Sequence, residues 1–228
     1  MRRSSSHYFP VAPLFIIFGV FATVLLLILF ELHVISFAYQ KLGMPPRAVM
    51  VCLLCSILGS AINIPVARFK ARNIVSPRTV AFFGMQYRVP QARHIDETVL
   101  AVNLGGAIIP VGLSLYLVIF QNLFFPALLA VAVVTLAVHQ IAFRVEGVGI
   151  AVPTLAPPLI ALLTASFVAP AQPAAVAYIA GTIGTLIGAD LMNLYDLEAL
   201  GAPIISIGGA GTADGIFLTG IIAVLLAP

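Results

Sequence analysis

Charge is scarce in this chain: Asp, Glu, Lys and Arg make up 8% of its 228 residues, against about 25% in ordinary soluble domains. Tryptophan is absent and cysteine occurs twice, so the spaced framework of a secreted disulfide protein is missing. Cys52 and Cys55 lie in an apolar run and are read as small packing residues. The four histidines, His7, His33, His94 and His139, are scattered without metal-ligand spacing. Phosphate-cradling glycine loops, the G-x-S-x-G elbow and the H-E-x-x-H pair are also lacking. Neither a cofactor nor a metal is expected.

Apolar residues fill the space that charge leaves. The chain is 61% hydrophobic, with a mean hydropathy of +1.14, which excludes a soluble globular domain. Windows of about 20 residues, the length that crosses a bilayer as helix, fall at 13–37, 48–66, 99–120, 123–143, 148–168, 174–194 and 203–226. The expected fold is therefore an all-α membrane protein: a polytopic bundle of about seven transmembrane helices forming a single transmembrane domain over residues 1–228. The net charge of +3 does not point to nucleic acid, because the basic residues sit mostly in one loop. Alternating the spans from a cytoplasmic N-terminus puts nine of the 11 Lys and Arg on one side: Arg2, Arg3, Arg68, Lys70, Arg72, Arg78, Arg88, Arg93 and Arg144. Lys41 and Arg47 are left on the other side. Cytoplasmic loops carry such an excess, so the expectation is an inner-membrane, multi-pass protein with its N-terminus inside and its C-terminus outside. The first apolar run is too long for a signal-peptide h-region and reads as a retained helix.

The one long loop, 67–98, holds β-branched and aromatic residues around Gly84 and predicts a small cytoplasmic β-hairpin. Its arginines suit anionic headgroups or a soluble partner, and equally suit orientation alone. Two short segments are alike, Asn103-Leu104-Gly105-Gly106-Ala107 and Ile207-Gly208-Gly209-Ala210-Gly211.

Ionisable groups within a bilayer need a polar cavity or a function. Glu31, His33, Asn63, Asn103, His139, Gln140, Asp190, Asn193 and Asp214 fall inside the windows, and the two aspartates stand out. Gly208, Gly209, Gly211 and Gly215 surround Asp214, so the chain there is expected to be broken or closely approached, with the carboxylate beside a polar cavity. In the sixth span, Ala177, Gly181, Gly184 and Gly188 form a small-residue ridge for a neighbouring helix. At about 100° per residue Asp190 lies opposite that ridge and shares a face with Asn193. Antiparallel sixth and seventh helices would bring Asp190 and Asp214 together near their cytoplasmic ends. Asp196 and Glu198, at the turn between them, read as surface charges. Gly147, Gly149, Pro153, Pro157 and Pro158 are expected to break the fifth helix.

Paired carboxylates cannot both ionise cheaply, so one stays protonated while the other accepts, an arrangement that activates water. The same pair would serve a proton or cation pathway. The leading expectation is hydrolysis by Asp190 and Asp214, supported by Asn63, Asn103 and Asn193. A small ion- or proton-coupled transporter and an accessory subunit of a larger membrane complex are the alternatives. The bilayer, a transmembrane peptide or a small solute would be partners, and an oligomer is compatible with all three.

Ile62-Asn63-Ile64-Pro65-Val66, Val102 to Pro110, Gly147 to Pro153 and the stretch 181–226 together resemble the domain-of-unknown-function 1614 family of bacterial and archaeal membrane proteins. That resemblance implies an integral membrane protein and brings no activity with it. A second resemblance is local: Gly211-Thr212-Ala213-Asp214-Gly215 is similar to the G-x-G-D region of presenilin-like and signal-peptide-peptidase-like intramembrane aspartyl proteases, with Thr212-Ala213 where that family has x-Gly. It implies a catalytic role for Asp214, with Asp190 as the second carboxylate.

Overall fold

The computed structural model describes residues 11–70, 79–82, 85–88, 97–145, 149–194, 204–211 and 214–228. Arg2, Arg3, Arg72, Arg78, Arg93, Gly147, Asp196, Glu198, Thr212 and Ala213 lie outside the described residues.

Most of the described chain is helical. The helices are α1 (Val11–Lys41), α2 (Pro46–Gly59), α3 (Ile109–Phe120), α4 (Phe124–Ile141), α5 (Ala156–Val168), α6 (Pro173–Thr185) and α7 (Gly215–Leu226). Proline starts several of them, because its missing N–H falls where a helix has no internal partner to offer. Pro46 opens α2 and Pro173 opens α6, while Pro157 and Pro158 occupy the first turn of α5. The expected break in the fifth helix is thus its beginning. Asn122, in the left-handed region at φ 55°, turns the chain from α3 into α4.

Among the described residues, three helices are long and apolar enough to cross a membrane: Ile16–Lys41, Phe124–Ile141 and Pro173–Leu194. The other apolar helices, Pro46–Gly59, Leu104–Phe120, Ala156–Val168 and Gly215–Leu226, are shorter. Seven full crossings are therefore not confirmed, and a small sheet accompanies the helices. The second, third and seventh windows each run partly as strand. β1 (Asn63–Lys70) follows α2, β4 (Glu97–Asn103) precedes α3, and β7 (Ile204–Ile207) precedes α7. They form one sheet in the order β1-β4-β7. β1 and β4 are antiparallel, from Asn63 opposite Asn103 to Lys70 opposite Glu97, and β4 and β7 are parallel, from Val99 opposite Ile204 to Val102 opposite Ile207. Pro65 is tolerated because β1 is an edge strand whose register shifts between Pro65 and Ala67. Valine and isoleucine supply much of these strands, and a short apolar run of such residues looks the same to hydropathy whether it coils or extends.

The hairpin expected in the long loop is present: β2 (Thr79–Phe82) pairs antiparallel with β3 (Met85–Arg88). A further small hairpin, β5 (Phe143–Val145) with β6 (Gly149–Ala151), links α4 to α5.

Helix α6 is the centre of the bundle and packs against α3, α4, α5 and α7. Its glycines let those neighbours close in. A Cβ on Gly181 would meet Thr219 of α7 at 3.0 Å, one on Gly184 would meet Val134 of α4 at 2.7 Å, and one on Gly188 would meet the Thr135 carbonyl at 2.5 Å. The ridge therefore serves two helices. Val134, Val138, Ala161, Ala165, Val176, Ile179 and Val224 complete this core with no exposed surface.

Candidate functional site: a two-aspartate cavity beside an asparagine latch

Both aspartates sit where a helix is interrupted. Beyond Thr185 the α6 helix widens into a π-type turn, Leu186–Asp190, whose last residue is Asp190. Such single wide turns insert one residue into the helical repeat and re-aim the side chains beyond it. Asp214 does not lie within a helix; it is the N-cap of α7, extended at φ −72° and ψ 149°. Its Oδ1 accepts the Ile216 N–H at 2.9 Å and its Oδ2 accepts the Ala210 N–H at 3.4 Å, which satisfies donors a helix start would leave open.

The two carboxylates line one cavity of about 420 Å³. Leu100, Ile150, Ile207 and Ile216 give it apolar walls, and Thr185, Ser206 and the backbone of Gly208, Gly209 and Ala210 give it polar ones. Across it each aspartate is within electrostatic reach of the other. Their roles differ: Asp214 is held by two backbone N–H groups, whereas Asp190 has no hydrogen-bond partner among the described residues. A volume of this size suits a small solute.

Asn63 and Asn103 form a separate node at one end of the sheet, where they stand opposite each other. Asn103 is fully buried. Its Nδ2 donates to the Ser60 carbonyl at 2.9 Å and to Asn63 Oδ1 at 3.0 Å, and its Oδ1 accepts the Gly106 N–H at 2.8 Å. Ser206 Oγ donates to Asn63 Oδ1 at 2.6 Å. One side chain thereby fastens the end of α2, strands β1 and β4 and the wide turn Leu104–Ile108. Through Ser206, which also lines the cavity, the latch and the cavity share a wall. Asn193 lies behind the cavity. It donates to the Gly188 and Ala189 carbonyls at 3.1 and 2.8 Å and approaches His139 Nδ1 at 3.4 Å. Asn193 is not among the residues that line the cavity with Asp190.

The two like segments meet. A Cβ on Gly106 would stand 2.2 Å from the Gly208 carbonyl oxygen, and one on Gly105 2.0 Å from the Ser56 carbonyl oxygen. Gly208 and Gly211 also need their freedom, at φ +70° and +62°. Gly209 is held tightly against Ser206, whereas Gly215 has room, with Val152 at 4.0 Å. Reading residue by residue missed Thr185, Ser206, Gly105 and Gly106. The likeness of the two Gly-Gly segments was the available signal for the last pair.

Among the described residues no three His, Cys, Asp or Glu gather as a metal cluster. Cys52 and Cys55 are free thiols.

The family model described as "Protein of unknown function (DUF1614)" matches residues 57–226, three-quarters of the chain. The match begins just before the latch and takes in both aspartates. The chain belongs to the DUF1614 family. No curated protein and no solved structure matches this DUF1614 protein. Three helices of crossing length make it a membrane protein.

Proposed function

We propose that this DUF1614 protein is a small membrane carrier whose cavity binds a solute or cation together with a proton taken up by Asp190. The observation that carries this reading is the unequal pair: two carboxylates line one cavity, one fixed by backbone N–H groups and the other without a partner among the described residues. A carboxylate that accepts backbone hydrogen bonds is held in its acceptor role. The unpartnered one is left to take up H⁺ or a cation, the use to which intramembrane carboxylates are put in pumps and carriers. Interrupted helices around such a site are the usual architecture of carriers. We place the cavity toward the cytoplasm, with the N-terminus inside. The partners in this reading are the bilayer and a small solute.

The test is proton flux into liposomes that contain the purified protein and a pH-sensitive dye, under an imposed pH gradient with compensated membrane potential. Asp190→Asn should abolish flux that the unaltered protein supports. Equal flux in the two would overturn the reading.

Hydrolysis is the second reading, favoured by the same convergence of Asp190 and Asp214 on one cavity, where one carboxylate would act as base and the other as acid. Cleavage of a transmembrane peptide that persists in both Asp190→Asn and Asp214→Asn would reject it.

A further inference from the structure

Among the described residues, six buried side-chain oxygens have no hydrogen-bond partner: those of Tyr39, Ser56, Thr135, Tyr178, Thr182 and Thr185. Leaving a buried hydroxyl unpaired is costly, and surrounding hydrocarbon offers no relief. Serine and threonine in membrane helices usually escape by bonding the carbonyl one turn back. Thr23, Ser60, Ser114 and Ser166 do so here, at 2.7 to 2.9 Å. Ser56, Thr182 and Thr185, on helices of the same kind, do not.

Five of the six form a line. Tyr178, Thr182 and Thr185 recur at spacings of four and three and so lie along one stripe of α6. The Tyr178 ring meets Tyr39 of α1 edge-on, with centroids 6.4 Å apart. The Tyr39 hydroxyl lies within reach of Ser56 of α2 and of the Tyr178 hydroxyl, and the Tyr178 hydroxyl within reach of Thr182, while none of these contacts meets full hydrogen-bond geometry. At the other end Thr185 lines the cavity with Asp190. All five residues are at most 2% exposed. Gly220 of α7 lets that helix pack closely against the line: a Cβ there would stand 2.5 Å from Thr182 Oγ1 and 3.0 Å from the Tyr178 ring.

From Tyr178 to Asp190 the helix rises roughly 18 Å at 1.5 Å per residue, more than half of a hydrocarbon core of about 30 Å. Tyr39 stands two residues before Lys41, whose Nζ donates to the Ala227 carbonyl beyond α7, at the opposite end of that helix from Asp214. The line thus runs from the cavity to the other end of the bundle. Water is the ordinary occupant of a buried place that offers two or more unmet polar groups.

We propose that Tyr39, Ser56, Tyr178, Thr182 and Thr185 hold a file of water molecules that conducts protons between the Asp190 cavity and the end of the bundle beside Lys41. Each hydroxyl accepts a hydrogen bond from a water or a neighbouring hydroxyl and donates to the next. A proton entering one end therefore releases another at the far end, after which the hydroxyls and waters turn back to their starting orientation. Asp190 loads or unloads that proton at the cavity, so the inference rests on the carrier reading above.

Two measurements on the full chain test it. X-ray radiolytic footprinting in lipid nanodiscs should oxidise Tyr39 and Tyr178 several-fold faster than Phe217, which is equally buried and lies off the line. Labelling no faster than that of Phe217 overturns the file. In the liposome assay, Thr182→Val should lower proton flux about tenfold, since a hydrogen-bonded chain fails at its missing link. Tyr178→Phe, which conserves shape, should do the same and stands in should Thr182→Val not fold. Full flux in these variants with flux lost in Asp190→Asn overturns the file and leaves the carrier. Labelled tyrosines with no flux in the unaltered protein overturn conduction and carrier together.

Discussion

Helices α1 and α6 are alike as sequence and opposite as structure. Ile16–Lys41 and Pro173–Leu194 both suit a bilayer crossing, with mean hydropathies of 2.4 and 1.5, yet the apolar window of the first is 0% buried within the fold and that of the second 67%. Their glycines make the contrast plain. Gly19 in α1 has nothing within 4 Å of where a Cβ would stand, whereas Gly184 in α6 has Val134 at 2.7 Å. Hydropathy decides whether a helix enters the bilayer; small residues and hydroxyls decide whether it faces protein, because lipid chains are as apolar as leucine and only close packing or hydrogen bonding favours a neighbour.

The sharpest way to break the comparison is to enlarge both glycines. Gly184→Leu should lower stability by about 3 kcal/mol or more, since backbone and Val134 must both move, while Gly19→Leu should stay within about 0.5 kcal/mol. Unfolding in mixed detergent micelles reads both, and equal losses would show that α1 is as tightly packed as α6. A smaller effect is expected at the latch. Asn103→Ala leaves the Gly106 N–H and the Ser60 carbonyl without their partner, a loss of about 1–3 kcal/mol in the same assay, with proteolysis at the α2–β1 junction rising alongside. The smallest change belongs to the lipid-facing side. Leu26, 66% exposed, should tolerate Leu26→Ala within about 0.5 kcal/mol; a loss as large as that of a core leucine would mean that another protein surface covers α1.

Several features could be read from residues alone. Long apolar windows marked the membrane helices, Gly84 between alternating β-branched and aromatic residues marked the hairpin of Thr79–Phe82 with Met85–Arg88, and the glycines at 181, 184 and 188 marked a helix with close neighbours. The sheet was hidden. Val99 to Asn103 and Ile204 to Ile207 are apolar enough to extend the helices that come after them, and only pairing within the sheet, with each other and with β1, makes them strands. Asp190 stood out in the sequence as an ionisable group within an apolar window, but the wide turn that ends at it has no residue signature. Asn103 was expected to support the aspartates; that it is the centre of a latch could not be read from the sequence, because its partners Ser60, Asn63 and Gly106 are brought to it by three different elements.

Composition and periodicity by themselves determined that this chain is a membrane protein, which segments are apolar, and that two carboxylates sit near the ends of its last helices; these depend on transfer free energy, which each residue carries wherever it is placed. Tertiary structure alone decided which apolar stretches became strands, which glycines were needed, and which polar groups were paired and which were left open. Hydrogen-bond pairing and close packing belong to groups distant in sequence, so neither exists until the chain has folded.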